Sequence, residues 1–215
     1  MRTLRTLIAI ILVVIACFAI ASFITTSETV DQYPIYYNNL IYKYAKENDL
    51  DPFLVAAIIR TESNYDPEVS SHANAHGLMQ LLPETLEWIA MRRGETFEPD
   101  QIKDPEANIR AGTYYVRYLL DEFQDVNLML AAYNGGPANV AKWLTIKEYS
   151  KDGKHLDFIP FEETRNYVEK VTQYRDEYTK VYHGVFPESE KDHNNEVSFH
   201  VTVYKNFLLL LQRKY

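Results

Sequence analysis

The sequence has few of the residues that build covalent or metal-bound frameworks. Its single cysteine among 215 residues excludes an intrachain disulfide and any zinc site that needs two or more thiolates. With 22 lysines and arginines against 30 aspartates and glutamates, it also lacks the basic excess that gives nucleic-acid binders most of their affinity. Nucleic acid is therefore not an expected partner. The low counts of glycine, 7, and proline, 9, argue against fibrous repeats and disorder.

The overall composition is that of an ordinary globular protein. Hydrophobic residues make up 47% of the chain and charged residues 24%, with a formal net charge of −8. A chain of this length amounts to about one domain by the usual prior of roughly 100–200 residues per domain. It is long enough to bury a substantial core.

The longest apolar run lies near the beginning of the sequence. Residues 7–24 carry no charge and directly follow Arg2 and Arg5, and 18 such residues meet the lower limit for a membrane span. Basic residues stay on the cytoplasmic side of such a span, so the rest of the chain is expected outside the cytoplasm.

We expect residues 1–24 to be an uncleaved signal anchor, because the run stays apolar past two candidate cleavage sites. The alternatives are a cleaved signal peptide that uses Ala-Ile-Ala at 19–21 and a lipoprotein signal that ends at Cys17. A buried core helix is disfavoured by the missing amphipathic spacing. The polar residues 25–35 are expected to form a spacer.

Residues 36–183 contain repeated helix signals and no alternating pattern, which predicts a mainly α domain. Asp51-Pro52 and Asp104-Pro105 each combine a capping residue with proline at the first helical position. The loops at 64–83 and 145–160 are too long to be simple turns, and long loops often carry function. The predicted helices cover 52–63, 105–123, 126–133, 137–143 and 161–182.

The C-terminal residues 184–215 form an extension of unknown role. Residues 184–196 are polar, and apolar and polar residues then alternate from Val197 to Val203, which predicts a short strand. The apolar run at 207–211 is too short to cross a bilayer.

Glu62 is the residue that most strongly suggests chemistry. Steps of three and four along the first predicted helix lead from Leu54, Ile58 and Ile59 to Glu62, so its carboxyl lies on the apolar stripe at the last turn. Both the apolar surroundings and the negative end of the helix should raise its pKa. A protonated carboxyl is what cleavage of a glycosidic bond requires. The alternative is a structural glutamate that is capped or paired with Arg60.

Four further segments accompany Glu62 in a fixed order. Together with it they closely resemble the soluble-type lytic transglycosylases of bacterial cell walls, members of the lysozyme superfamily, over about residues 36–183. The resemblance implies a lysozyme-like helical domain with a substrate cleft. Glu62 itself lies in ESNYDP at 62–67, and the four further segments are GLMQLLP at 77–83, NIRAGTYY at 108–115, AYNGGP at 132–137 and IPFEETRNYV at 159–168.

The resemblance implies a role for nine residues. Glu62 matches the family's catalytic acid/base, and the others are expected to bind the substrate, which is the glycan strand of peptidoglycan. No metal and no organic cofactor is expected. The expected substrate-binding residues are Ser63, Ser71, Met79, Gln80, Tyr133, Asn134, Glu163 and Tyr167.

Several of these residues also fit a purely structural role. The Ser71 hydroxyl could shape a turn, and the Gln80 amide could satisfy loop backbone. Asn134 precedes two glycines and fits a helix C-cap. Tyr133 and Tyr167 lie on apolar stripes and fit core positions.

One loop departs from the family pattern, which usually has glycine at the position of Asn74. Asparagine is the non-glycine residue best able to adopt a left-handed backbone, so we expect the loop path to survive. His76 follows closely and is interpreted as a surface residue, because the six histidines show no ligand spacing.

The mechanism implied by the resemblance needs one carboxyl. Glu62 protonates the oxygen between N-acetylmuramic acid and N-acetylglucosamine and then deprotonates the muramic C6 hydroxyl, which closes a 1,6-anhydro ring. Two other functions stay open: a hydrolytic muramidase of the same fold that uses water, and a membrane-tethered protein that binds glycan without cleaving it.

Overall fold

The computed structural model describes residues 32–96 and 99–187, and the isolated positions 6, 11, 13 and 14. In these residues the protein is helical, and β-pairing is limited to the isolated bridges Ser70–His76 and His76–Leu81. The mainly α class is therefore confirmed. The helices are α1 (Asn38–Glu47), α2 (Pro52–Ser63), α3 (Pro83–Arg93), α4 (Pro105–Phe123), α5 (Val126–Gly135), α6 (Pro137–Leu144) and α7 (Glu162–Val181), with a 3₁₀-helix at Pro99–Lys103.

Two predicted features fall wholly or largely outside the described residues. They are the N-terminal apolar run at 7–24, of which only positions 11, 13 and 14 are described, and the strand at 197–203. Across the described part of the chain, no helix combines the length and the apolar character that a membrane span requires.

The predicted helix starts at Pro52 and Pro105 are confirmed by their caps. The Asp51 carboxylate accepts a hydrogen bond from the Phe53 amide, and Asp104 accepts one from Ala107. Each cap satisfies an amide that has no partner inside the helix, and the following proline has no amide to satisfy.

The sequence pattern gave no bounds for α1 and α3 and ended α5 too early. In α3 only Leu86 and Ile89 are buried, so its apolar stripe is faint. The end of α5 was predicted at Tyr133, but the helix continues to Gly135, and Gly136 terminates it with a φ of 86°. Asn134 therefore lies inside the helix, and its interpretation as a C-cap was wrong.

Helix α2 is the central element of the core. Seven consecutive residues, 53–59, are buried, so this helix is enclosed on all sides rather than on one stripe. It packs against α7 and α1, while α5 packs against α4, α6 and α7. The C-terminal end of α2, where Glu62 lies, is thereby placed against α7.

The packed region extends beyond the predicted limits of 36 and 183. The Tyr182 hydroxyl on α7's C-cap donates to the Tyr33 carbonyl at 2.8 Å, and Tyr178 donates to the Pro34 carbonyl at 3.2 Å. Asn38 donates to the Pro187 carbonyl at 2.8 Å. These hydrogen bonds hold the segment before α1 and the segment after α7 against the helical domain.

Asn108 of α4 fixes the loop between α2 and α3. Its side-chain oxygen accepts from the Met79 amide at 2.8 Å, and its NH₂ donates to the carbonyls of Ile102 and His76 at 2.7 and 3.1 Å. A Cβ on Gly77 would lie 2.4 Å from that NH₂ group, so only glycine allows this approach. A single buried amide thus satisfies three backbone groups.

Replacing Asn108 with alanine is expected to lower the free energy of unfolding by about 3 kcal/mol, because it leaves buried backbone groups without partners. Urea denaturation monitored by circular dichroism measures the change. Asn166→Ala, at an exposed position of α7, is the control and should change stability by less than about 0.5 kcal/mol. Equal stability of the two variants would contradict the role assigned to Asn108.

Candidate active site

Glu62 lies in the last turn of α2, which Asn64 ends in a left-handed conformation with a φ of 50°. Its side chain is partly buried, and among the described residues no ion pair reaches it. Arg60 instead lies over the ring of Tyr174, 4.5 Å from its centre, and donates to the Gln32 carbonyl at 3.1 Å. The alternative of a Glu62–Arg60 pair is therefore excluded.

The surroundings of Glu62 keep a proton on its carboxyl. Burial, and to a smaller extent the negative charge of Glu163, raise its pKa from 4.5 to a net value of about 7. The Tyr167 hydroxyl and the positive charge of Lys170 act in the opposite direction. A carboxyl with a pKa near 7 exists in both protonation states at neutral pH, so it can donate a proton and later accept one.

Two tyrosines stand beside this carboxyl. The rings of Tyr133 and Tyr167 stack 6.5 Å apart with 7° between their planes. Burial, and then the charge of Glu62, raises the pKa of both phenols well above 10, so both remain protonated donors.

The two hydroxyl groups are used differently. Tyr133 donates to the Met79 carbonyl at 2.7 Å and so ties α5 to the loop before α3. The buried Tyr167 hydroxyl lies near enough to Glu62 to lower its pKa, yet it completes no hydrogen bond of standard geometry within the described residues. Tyr167 therefore retains a donor at the carboxyl.

A depression of ≈ 460 Å³ opens where α5 meets the start of α7. Asn134 lines it and accepts a hydrogen bond from the Thr164 hydroxyl at 2.7 Å. A Cβ on Gly135 would lie 2.9 Å from that hydroxyl oxygen, so glycine lets the helices approach. Glu163 is exposed on the same wall, whereas Glu62 does not line the depression. Glu163 lines the depression and lies four residues before Tyr167, on the same face of α7. It therefore adjoins both the depression and the Glu62 carboxyl, whose pKa it raises.

The loop residues Ser71 and Gln80 both make hydrogen bonds within the loop. The exposed Ser71 hydroxyl accepts from the Ala75 amide at 3.0 Å. Gln80 donates to the carbonyls of Gly77 and Val69 at 2.9 and 3.1 Å, and its backbone has a φ of 46°. A positive φ is uncommon in a non-glycine residue. Both residues therefore shape the loop while staying accessible on it.

Two residues expected at the substrate lie in the interior instead. The Met79 side chain is fully buried against α4, where a Cβ on Gly112 would lie 2.3 Å from its sulfur. The Ser63 hydroxyl is buried and donates to the Leu78 carbonyl at 2.9 Å. Their neighbours Glu62 and Gln80 lie at the site, whereas the Ser63 and Met79 side chains hold the loop against α2 and α4.

Sequence reasoning missed Lys170 and Asn108. Lys170 lies three residues after Tyr167, on the same face of α7, and this spacing could have revealed it. Asn108 is a fully buried amide next to the apolar stripe of α4, a position that only the fold explains. Among the described residues, no cluster of three or more histidine, cysteine, aspartate or glutamate side chains could hold a metal ion.

Residues 39–156 match the family model described as the transglycosylase SLT domain. The chain belongs to this family. It is 36% identical over 162 residues to the soluble lytic murein transglycosylase of Salmonella typhimurium, a match that covers 72% of this chain and 24% of that protein. It is 33% identical over 168 residues to the membrane-bound lytic murein transglycosylase C of Actinobacillus pleuropneumoniae, covering 67% and 46%.

Solved structures show the same SLT fold. The inactive glutamate-to-glutamine mutant of lytic transglycosylase Slt from Pseudomonas aeruginosa superposes with a TM-score of 0.63 at 29% identity, covering 79% of this chain and 30% of that one. The 70-kDa soluble lytic transglycosylase in complex with bulgecin A gives 0.64 at 29% identity, covering 77% and 28%. This SLT chain therefore spans from about a fifth to about half of the length of the curated relatives it matches.

Replacing Glu62 of the SLT domain with glutamine is expected to stabilise it, but only at higher pH. Because the folded-state pKa is raised, protonation of Glu62 favours the fold fully below pH 4.5, and this contribution is lost as the pH rises through 7. Glutamine is neutral throughout. The gain in unfolding free energy should therefore grow from near zero at pH 4.5 to about 3 kcal/mol at pH 8.

Thermal and urea unfolding at these two pH values measure the difference. Glu169→Gln, an exposed carboxylate on α7, removes the same charge and serves as the control. A gain that is equal at both pH values, or that appears in the control as well, would show that Glu62 has an ordinary pKa.

Proposed function

We propose that this SLT chain is a peptidoglycan lytic transglycosylase that cleaves the β-1,4 bond between N-acetylmuramic acid and N-acetylglucosamine without water. The observation that carries the proposal is the Glu62 carboxyl, whose pKa burial raises to about 7 beside two protonated tyrosines. Family membership supports it, because relatives of this chain are named lytic murein transglycosylases.

The proposed reaction begins with proton donation. Protonated Glu62 gives its proton to the glycosidic oxygen as the bond from that oxygen to the muramic C1 breaks. The N-acetylglucosamine side leaves as an alcohol, and the resemblance to the family implies that the muramic N-acetyl group stabilises the cationic C1. The carboxylate that remains is stabilised by the Tyr167 hydroxyl and by the charge of Lys170.

The second step regenerates the acid. The Glu62 carboxylate removes the proton of the muramic C6 hydroxyl while that oxygen attacks C1 and closes the 1,6-anhydro ring. One proton leaves Glu62 and one returns, so the enzyme ends as it began. A pKa near 7 suits both steps, because neither the acid nor the base form is strongly disfavoured at neutral pH.

Glu62 acts as the single acid/base in this proposal. A glycosidase with two catalytic carboxylates needs the second one beside the scissile bond as nucleophile or base. Here the muramic C6 hydroxyl is the nucleophile that attacks C1, so no second carboxylate is needed. Glu163, which is exposed, instead adds to the effect of burial in raising the pKa of Glu62.

We propose that the glycan strand lies across the loop surface and the depression between α5 and α7. The buried Tyr167 hydroxyl supports the Glu62 carboxyl, and Tyr133, Met79 and Ser63 hold the walls through the hydrogen bonds and packing described above. The residues proposed to contact glycan directly are Ser71, Gln80, Asn134 and Glu163.

We further propose that the apolar run at 7–24 anchors the domain to the membrane as a single pass, with the domain outside the cytoplasm. Ile11, Val13 and Val14 are helical, and half or more of each side chain is exposed, as expected of a helix whose apolar surface needs a nonpolar environment. One relative is itself named membrane-bound. The partners of the chain are then the membrane and the peptidoglycan strands.

Digestion of purified sacculi with the full-length chain in detergent tests the proposal, with mass spectrometry of the released muropeptides. We expect muramic ends that are one water lighter than hydrolysis products. Glu62→Gln should bind sacculi and release nothing, and Glu169→Gln should behave as wild type. Hydrated ends would indicate a muramidase, and binding without release by the wild type would indicate a glycan-binding protein.

A further inference from the structure

The loop that carries Ser71 depends on an unusual backbone at Asn74. Asn74 has a φ of 62°, so the expectation that asparagine adopts the left-handed conformation here is confirmed. The Asn74 amide donates to the Ser71 carbonyl at 3.0 Å, and the Ser71 amide donates to the Ala75 carbonyl at 2.9 Å. With the bond from the Ala75 amide to the Ser71 hydroxyl, these contacts close a turn over residues 71–75.

This turn sets the position of the Ser71 hydroxyl. If Asn74 relaxed to a negative φ, the chain direction after it would change and the Ala75 amide could no longer reach Ser71. Glycine adopts a positive φ without penalty, whereas asparagine does so less readily. Asn74 therefore needs a contact that holds it in this conformation.

His76 supplies that contact. Its Nε2 atom lies 2.9 Å from the Asn74 side-chain oxygen, and its Nδ1 atom lies 2.8 Å from the Ser70 hydroxyl. The Asn74 oxygen can only accept, so Nε2 carries the proton in the neutral ring, and Nδ1 accepts from Ser70. The imidazole thus links Asn74, within the turn, to Ser70, which directly precedes the turn.

The backbone of His76 is fixed independently of its ring. Its amide donates to the Leu81 carbonyl and its carbonyl accepts from the Leu81 amide, both at 3.0 Å. The same carbonyl accepts from the buried Asn108 side chain. The ring is therefore presented from an anchored position, and His76 is a half-buried surface residue that also bonds two neighbours.

We propose that His76 is a positioning residue, which holds Asn74 in the left-handed conformation and thereby places Ser71 for the glycan. This inference rests on the proposed function, since it assigns the loop a part in binding the glycan strand. The effect of His76 then depends on residue 74. His76 is needed because residue 74 is asparagine, and His76 becomes dispensable once residue 74 is glycine.

A double-mutant cycle tests this coupling. The variants are His76→Ala, Asn74→Gly, and the two combined, with His72→Ala as the control because His72 is an exposed histidine of the same loop. Each is assayed for kcat and KM of muropeptide release and for thermal unfolding. Hydrogen exchange of the Ser71 and Ala75 amides provides a readout that does not require activity.

We expect His76→Ala to lower kcat/KM about tenfold, since small displacements of positioning groups reduce rates by such factors. Exchange at the two amides should accelerate by about tenfold as the turn opens. Asn74→Gly and His72→Ala should match wild type, and the combined variant should return to within about twofold of wild type in both readouts. Melting temperatures should change little, because the bonds lie at the surface.

Two results would overturn the proposal. One is wild-type exchange and activity in His76→Ala, which would make His76 a bystander. The other is a combined variant as impaired as His76→Ala, which would mean that His76 acts through Ser70 or on the substrate and not through Asn74. If the wild type itself releases no anhydro product, the proposed function fails, and the exchange data still decide the role of His76.

Discussion

The burial of one carboxyl at the end of α2 is the constraint on which the rest of the structure depends. Helix α2 is enclosed over residues 53–59, and where the chain leaves the core at Glu62, burial raises the pKa of the carboxyl. Ionising the group there costs about 3 kcal/mol, as its raised pKa implies. The domain tolerates this because α2 is held in place by packing that does not involve Glu62 itself.

The remaining site residues are arranged around that carboxyl by hydrogen bonds to backbone. Tyr133 donates to the Met79 carbonyl, Asn108 accepts from the Met79 amide, and Ser63 donates to the neighbouring Leu78 carbonyl. Side chains of α2, α4 and α5 therefore all hold the loop between α2 and α3 in place. Such multiple fixing lets it carry strained residues such as Gln80 and Asn74, which no local preference alone would hold.

Local patterns predicted much of this arrangement. The caps at Asp51 and Asp104, the raised pKa of Glu62 and the left-handed Asn74 were all foreseen from a few neighbouring residues. The interior placement of Met79 and Ser63 and the bridging role of His76 were not, because they depend on α4 and on the loop path. A motif identifies which segments meet, whereas packing decides which side chains face outward.

Catalysis by Glu62 requires a proton that stays on its carboxyl near neutral pH. Carbon-detected NMR of the side-chain carboxyl, labelled in the wild-type chain and assigned by its loss in Glu62→Gln, follows this group directly through a pH titration. We predict a midpoint near 7. A midpoint near the ordinary value of about 4.5 would contradict the account, since the carboxyl would then be ionised and unable to act as an acid.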